Sequence, residues 1–348
     1  MKRLVYLMAL IGGCLSASGG PGPLPGSQRV NPAFNASDVV CYCRVRATEI
    51  VRERVEVVDE RQVKTRQMRA FIEIRDLYKG SIEPSSSPVR VLYEEEIPAS
   101  RIISPSVAVG DDAIMFFITD AAGTYKFIDP FIGATRISGL SAQFGGDGII
   151  KLRTALEQVL EIKDRVSQLA AMRMLQGIDP VNPALTTALA KLAIADDTEV
   201  AAEAIALWLK IDPAVAIQTL YPFMKEHGRA LDGIQLANLA TQLGTITDGD
   251  AVVPLEQLTS SGVSSIRYGA VYALRHLRST HSYPIFVRLL DDPDLNISYQ
   301  AVAALAETTG KTGDYGPNMQ VFQGSPQRYI RLWKLWWSEY SSTKGPSQ

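Results

Sequence analysis

The sequence predicts two folded parts in series, a small β-barrel and then an α-helical solenoid of paired helices. Three observations predict it. From Asp38 to about Ser138, apolar residues recur at every second position. From about Gly148 they recur at i, i+3 and i+4. Within that second region, an aliphatic residue followed four positions later by alanine returns at Val166/Ala170, Val200/Ala204, Ile266/Ala270 and Ile297/Ala301. The spacing is about 33 residues, with one degenerate unit between the second and third pairs, and a period of that length marks a stack of helical hairpins.

A chain of 348 residues is too long for one ordinary core and suits two domains. Its 46% hydrophobic content lets both parts bury cores. In the first part, Val39, Cys41, Cys43, Val45 and Ala47 fall on one face of a strand, and Tyr42, Arg44 and Arg46 on the other. Further strands are expected at Val51–Val58, Arg69–Leu77, Val89–Tyr93, Ala113–Thr119 and Tyr125–Ile128. Lys79-Gly80, Gly110-Asp111 and Ala122-Gly123 supply turns between them. Five or six short strands in about 100 residues suit a small closed barrel.

The segment Ala33-Phe34-Asn35-Ala36-Ser37-Asp38-Val39-Val40 resembles the start of the first barrel strand in netrin-like modules and tissue inhibitors of metalloproteinases. So does the later order: Leu77-Tyr78-Lys79-Gly80, then Val89-Arg90-Val91, then Val109-Gly110-Asp111 leading into Ala113–Ile118. The resemblance covers Phe34 to about Ser138 and implies an OB-type barrel over residues 34–140. It does not imply protease inhibition. Those inhibitors begin with a free cysteine that chelates zinc, whereas here Cys41 and Cys43 lie inside the strand.

In the second part, helices are expected at Lys163–Leu175, Thr198–Lys210, Leu231–Leu243, Ser264–Leu277 and Leu295–Glu307. Small alanines allow close helix approach and the aliphatics fill the seam. The run from Ile285 to Leu305, with its Asp-Asp-Pro-Asp turn and Ala-x-x-Ala-Leu ending, resembles a HEAT repeat of the kind found in phycobilisome-lyase-like proteins. Val253 to Leu274 resembles a second, with Arg267 after Ile266 where the later unit has Ser298 after Ile297. This resemblance covers residues 148–310 and implies a HEAT-type solenoid. The ankyrin signature Thr-Pro-Leu-His is absent. The joint between the two parts is expected between Ser138 and Leu152, at Phe144-Gly145-Gly146-Asp147-Gly148. A last helix over 325–340 gathers Tyr329, Ile330, Leu332, Trp333, Trp336, Trp337 and Tyr340 into one sector, with Arg331 and Lys334 opposite. Such a stripe suits a cap on the open end of a solenoid.

At the other end, Lys2 and Arg3 precede the short apolar run Leu4–Ile11, which is an export-signal pattern over residues 1–18. Ile11-Gly12-Gly13-Cys14 resembles a bacterial lipobox, which implies lipidation at Cys14. The stretch over 19–33 is rich in Gly, Pro and Ser and reads as a flexible linker. The alternative is cleavage near Ala17-Ser18, which discards Cys14. The expected location is therefore extracytoplasmic, either periplasmic and tethered to the membrane through an N-terminal lipid, or secreted.

Little chemistry is suggested. Thr309-Gly310-Lys311-Thr312 ends like a phosphate loop, but Leu305 stands where the pattern needs glycine, so a glycine helix cap is expected. His227, His276 and His281 are scattered, without a partner at ligand spacing. In Asp291-Asp292-Pro293-Asp294, capping of the next helix is expected ahead of calcium binding. Glu94-Glu95-Glu96 reads as solvated loop. Arg44 and Arg46 share an outer face that OB barrels use for oligomers, but Glu49, Glu53 and Glu56 dilute its charge. A net charge of −2 without a basic tract argues against nucleic acid.

The expected role is an exported, non-catalytic protein-interaction or scaffold protein, with no catalytic, metal or cofactor residues and an unidentified protein partner. Alternatives are a ligand- or glycan-binding module centred on the barrel, and an enzyme resembling HEAT-type bilin lyases, against which the export signal argues. The lipobox is tested by the intact mass of the mature protein. An N-terminus at Cys14 carrying acyl mass is expected, and an N-terminus beyond Cys14 without it refutes the assignment.

Overall fold

The computed structural model describes residues 30–58, 61–82, 88–97, 107–128, 133–140, 148–178 and 182–344. Cys14, the export signal and the Phe144–Asp147 part of the expected joint lie outside these residues. The described residues fall into two compact units that part between Ala188 and Leu189. The division therefore lies beyond the expected joint, because the first two long helices belong with the barrel.

The first unit opens with helix α1, Val30–Ala36. Its first residues were expected in the linker. Val30, Ala33 and Phe34 are spaced i, i+3, i+4 and bury one face, which fixes this end of the chain. Six strands follow: β1 Val39–Val58, β2 Arg61–Lys79, β3 Val89–Ile97, β4 Asp112–Thr119, β5 Tyr125–Phe127 and β6 Ala134–Arg136. The order β1-β2-β3-β5-β4 closes through a β4–β1 pairing into a five-stranded barrel, and β6 adds to β4. All neighbours are antiparallel except β3 and β5.

The two strands expected at Val39–Ala47 and Val51–Val58 are one, since Thr48, Glu49 and Ile50 offer no turn chemistry. Register shifts between Val45 and Ala47, and again between Ile50 and Arg52, let the strand coil. The first shift also corrects the expected face: Val39, Cys41, Cys43 and Val45 line the interior, whereas Ala47 is exposed. With Ala70, Ile72, Val91, Met115 and Phe117 they form the barrel core. Both cysteines are free thiols. A hydrogen bond with Cys41, together with burial, holds the Cys43 thiol well above the usual range.

The outer face of the same wall is also buried. Val40, Tyr42, Ile114 and Phe116 point away from the core, yet none is more than 3% exposed. Helices α2, Gly148–Val159, and α3, Arg165–Gln176, belong to this unit; α2 packs on β2 and α3 on β6. Gly148 is required at the contact, because a Cβ there would lie 2.0 Å from the Tyr78 carbonyl oxygen. Lys151 donates to the Asp76 carboxylate at 2.6 Å and to the Leu77 carbonyl at 2.9 Å.

The chain continues as helices α4 Thr186–Leu192, α5 Thr198–Trp208, α6 Pro213–His227, α7 Gly233–Gly244, α8 Val252–Leu258, α9 Ser264–Leu277, α10 Tyr283–Leu289, α11 Leu295–Thr309, α12 Met319–Gly324 and α13 Pro326–Lys344. In the second unit, α5, α7, α9 and α11 pack each on the next, and α6 packs on α8. No helix among the described residues is long and apolar enough to cross a membrane.

Aspartate side chains cap α3, α5, α6, α7 and α11. Counted from the cap, Val200, Ile266 and Ile297 are the third residue of their helices and Ala204, Ala270 and Ala301 the seventh, and all six are buried. Two departures explain the irregular period. In α7 the third position is Gln235, which closes a capping box with Asp232, and the seventh is Leu239. In α3 those positions are Ser167 and Ala171, both buried. Val166 is 59% exposed, so the Val166/Ala170 pair was placed one residue early.

The aromatic stripe of α13 lies against α10, α11 and α12. Trp333 is fully buried and its Nε1 donates to the Tyr315 carbonyl at 3.0 Å. Trp336 and Tyr340 meet Tyr283 edge-on, at centroid distances of 5.4 and 5.6 Å. Replacing Trp333 by Ala is expected to cost about 3–5 kcal/mol in denaturant unfolding. Replacing the exposed Leu335 by Ala should stay within about 0.5 kcal/mol. Equal effects from the two would show that α13 is not held by its aromatic face.

Candidate interaction surface

Two surfaces carry polar and aromatic groups beyond what packing needs. One is the outer face of the barrel hairpin. Arg44 Nε and Nη2 donate to the Asp112 carboxylate at 2.8 and 2.6 Å, and Arg75 Nη1 lies 3.2 Å from the same group. Arg46 pairs with Glu73, and Arg69 with Glu49 at 2.5 Å. On the opposite face of the hairpin, Glu53 takes both Lys64, at 2.7 Å, and Arg66, at 2.5 Å, which hold its carboxyl below the usual range. Arg44 and Arg46 are thus paired with carboxylates on neighbouring strands.

The other surface runs along α9 and α11. Close seating of α9 on α7 depends on Gly269, where a Cβ would lie 2.7 Å from the Ala240 carbonyl oxygen. The adjoining stripe of α9 carries Tyr268, Tyr272 and His276, four residues apart. The two tyrosine rings stack at 6.1 Å with 20° between planes, and Tyr272 meets His276 at 4.5 Å. Tyr268 and Tyr272 are half-buried and His276 is exposed.

A hydrogen-bonded chain fixes this row from beneath. Gln300 Nε2 on α11 donates to Tyr268 Oη at 3.2 Å, and Arg275 Nη1 donates to Gln300 Oε1 at 2.7 Å. Arg275 Nε donates to Glu307 at 3.0 Å, with a second contact from Nη2. Burial pushes the Tyr268 hydroxyl up to about 12, so it stays a neutral phenol. Burial also lowers His276, helped by the Arg275 charge. Beyond α11 the chain folds back: Phe322 packs on Tyr299 at 5.7 Å, and Gly316 sits against the Ala306 methyl group.

The remaining sequence candidates are dispersed. Asp292 makes two hydrogen bonds to Arg267, at 2.8 and 3.0 Å, Asp294 caps α11, and Asp291 reaches Lys334 at 2.7 Å. Gly310 ends α11 with φ of 74°, the left-handed turn a glycine cap supplies. Glu94 lies 3.6 Å from Arg54. His281 Nδ1 lies 3.0 Å from Glu256 Oε1, which also accepts from Ser282 Oγ at 2.7 Å. The carboxylate separates that histidine from the serine, so this is no nucleophile–base pair. No group of three His, Cys, Asp or Glu side chains among the described residues is placed to hold a metal. Sequence reading named His276 only as a scattered histidine and missed the row, because Tyr268 and Tyr272 are neither charged nor part of a signature.

Deleting Glu307 leaves Arg275 partly buried beside Gln300 alone. Glu307→Ala is expected to lower stability by about 1–3 kcal/mol. The double variant Arg275→Leu/Glu307→Leu should recover part of that loss. Denaturant titration reads both, and a double variant that loses the full sum of the single ones refutes the coupling.

No protein-family model matches the chain, and no curated protein matches it.

Proposed function

We propose that the chain is an exported, non-catalytic interaction protein that grips a protein segment on the face of stacked helices bearing Tyr268, Tyr272 and His276. The carrying observation is that row itself: half-buried rings placed side by side and anchored through Gln300 and Arg275. Rigid aromatic side chains give large contact area at small entropic cost, which is what a binding surface needs.

The strand order with its single parallel β3–β5 contact supports reading the barrel as OB-like. The succession of α5, α7, α9 and α11, each on the next, supports reading the helices as a HEAT-type solenoid with α13 as its cap. The lipobox-like segment supports a membrane-tethered extracytoplasmic location. Ligand or glycan binding on the barrel is the weaker reading, since Arg44 and Arg46 are committed to Asp112 and Glu73.

The test is crosslinking and recovery of the full chain from its native envelope, beside a Tyr272→Ala variant. One protein species recovered with the parent and depleted about tenfold with the variant is expected, the loss of one hot-spot contact being worth that much. Equal recovery by both overturns the assignment to this face. Glycan-array binding without any protein recovered overturns the protein-partner reading.

A further inference from the structure

Strand β1 outruns its neighbour on one side. Its pairing with β4 covers Val39–Arg44, and Gly110 and Asp111 end that ladder with two bonds to Val45, each 2.9 Å. Its pairing with β2 runs on to Val58. Among the described residues, the β4 side of β1 has no ladder beyond Val45. A strand edge of this kind offers its N–H and C=O groups to another chain. Apolar side chains accompany it: Ile50 is 50% exposed and Val51 40%.

The side chains along this edge match themselves under a two-fold rotation. Val51 has no partner on β2, because Ile50 stands opposite Met68 and Arg52 opposite Gln67. In a regular strand, residues three apart point to opposite faces. The extra residue cancels that alternation. Glu49 and Arg52 share the face of Arg69 and Gln67, and Thr48 and Glu53 share the face of Ala70 and Arg66. Two copies of the edge can therefore run antiparallel with Ile50 opposite the second copy's Val51, Glu49 opposite its Arg52, and Thr48 opposite its Glu53. Every such pair lies on one face, and the two extra residues meet at the axis, so the strands stay in step. Moving the register by one residue sets Thr48 opposite Arg52, on different faces.

We propose that β1 pairs edge to edge with β1 of a second copy of this chain through Thr48–Glu53. Charge usually keeps edge strands apart, but here it is complementary across the axis. Arg52 is exposed and makes no ion pair among the described residues. The Glu49 carboxylate holds Arg69 at 2.5 Å, and its side chain is still 46% exposed. It can take a second guanidinium as Asp112 takes both Arg44 and Arg75. Ile50 and Val51 of both copies meet at the axis and leave water together. This contact is independent of the α9 face.

The test is sedimentation of the full chain at graded concentrations, where a species of twice the 38.0 kDa chain mass is expected. Arg52→Glu sets like charges opposite each other on both sides of the axis, and should raise the dimer dissociation constant about tenfold or more. Ile50→Lys combined with Val51→Lys gathers ammonium groups at the axis and should leave a folded monomer, both positions being exposed. The register is read by mixing a Glu49→Cys chain with an Arg52→Cys chain. Each alone keeps its new thiols apart, whereas the oxidised mixture should join positions 49 and 52 between chains, as located by peptide mapping. A parent that sediments as a single chain overturns the proposal. So does a dimer that neither variant weakens, or one whose mixed cysteine chains stay unlinked. Should the double lysine variant fail to fold, Arg52→Glu and the cysteine mixture decide.

Discussion

The wall made by β1 and β4 is apolar on both sides, and much of the first unit follows from that. A closed barrel has a single interior, which Cys41, Cys43, Val45, Met115 and Phe117 fill. Val40, Tyr42, Ile114 and Phe116 face the other way and would meet water if the barrel stood alone. Each large apolar side chain left in water forgoes roughly 1.5–3 kcal/mol. A second apolar layer must therefore cover the wall. Phe34, at the end of α1, and Gly148, at the start of α2, meet beside Tyr78. The barrel and its first helices thus pack as one compact unit, and the division between units falls after Ala188.

That double burial also explains what sequence reading could and could not see. Alternation over Val39–Val45 was legible because one face is core, but Tyr42 looked like an outward residue, and only the covering layer makes it buried. Helix positions in the second unit were legible to within a few residues because aspartate caps and apolar stripes coincide. The period was blurred at two helices for local reasons. Gln235 gives up an apolar position to a capping reaction with Asp232, and Ser167 stands where an aliphatic residue was sought. A pattern defined on hydrophobicity alone slides to Val166, one residue away and exposed. Counting from the cap instead of from the aliphatic residue aligns these helices at their third and seventh positions.

The charged residues divide by the same logic of partners. On the hairpin, Arg44, Arg46, Arg66 and Arg69 each meet a carboxylate across the strand, so much of their charge is answered locally. Such a surface is a poor handle for an anionic ligand. On α9, Glu307 answers Arg275, burial holds His276 towards its neutral form, and Arg278 is exposed.

Placement of the polar chain beneath the tyrosines matters more than its length. Gln300 is 2% exposed, and burying an amide is costly unless both its ends are used. Here the amide donates to Tyr268 and accepts from Arg275, so neither end is wasted. Rotating Tyr268 away would strand the Gln300 donor, and shifting Arg275 would strand its acceptor together with Glu307. The ring is therefore held by the satisfaction of groups behind it, whether or not anything lies in front. A surface fixed in this way gives up little side-chain freedom on binding, and that saved entropy is available to affinity. The Gly269 contact acts in the same direction, since α9 cannot roll on α7 without forcing its backbone into Ala240. The position of the tyrosine row and the seating of α9 on α7 thus depend on neighbouring residues of one helix.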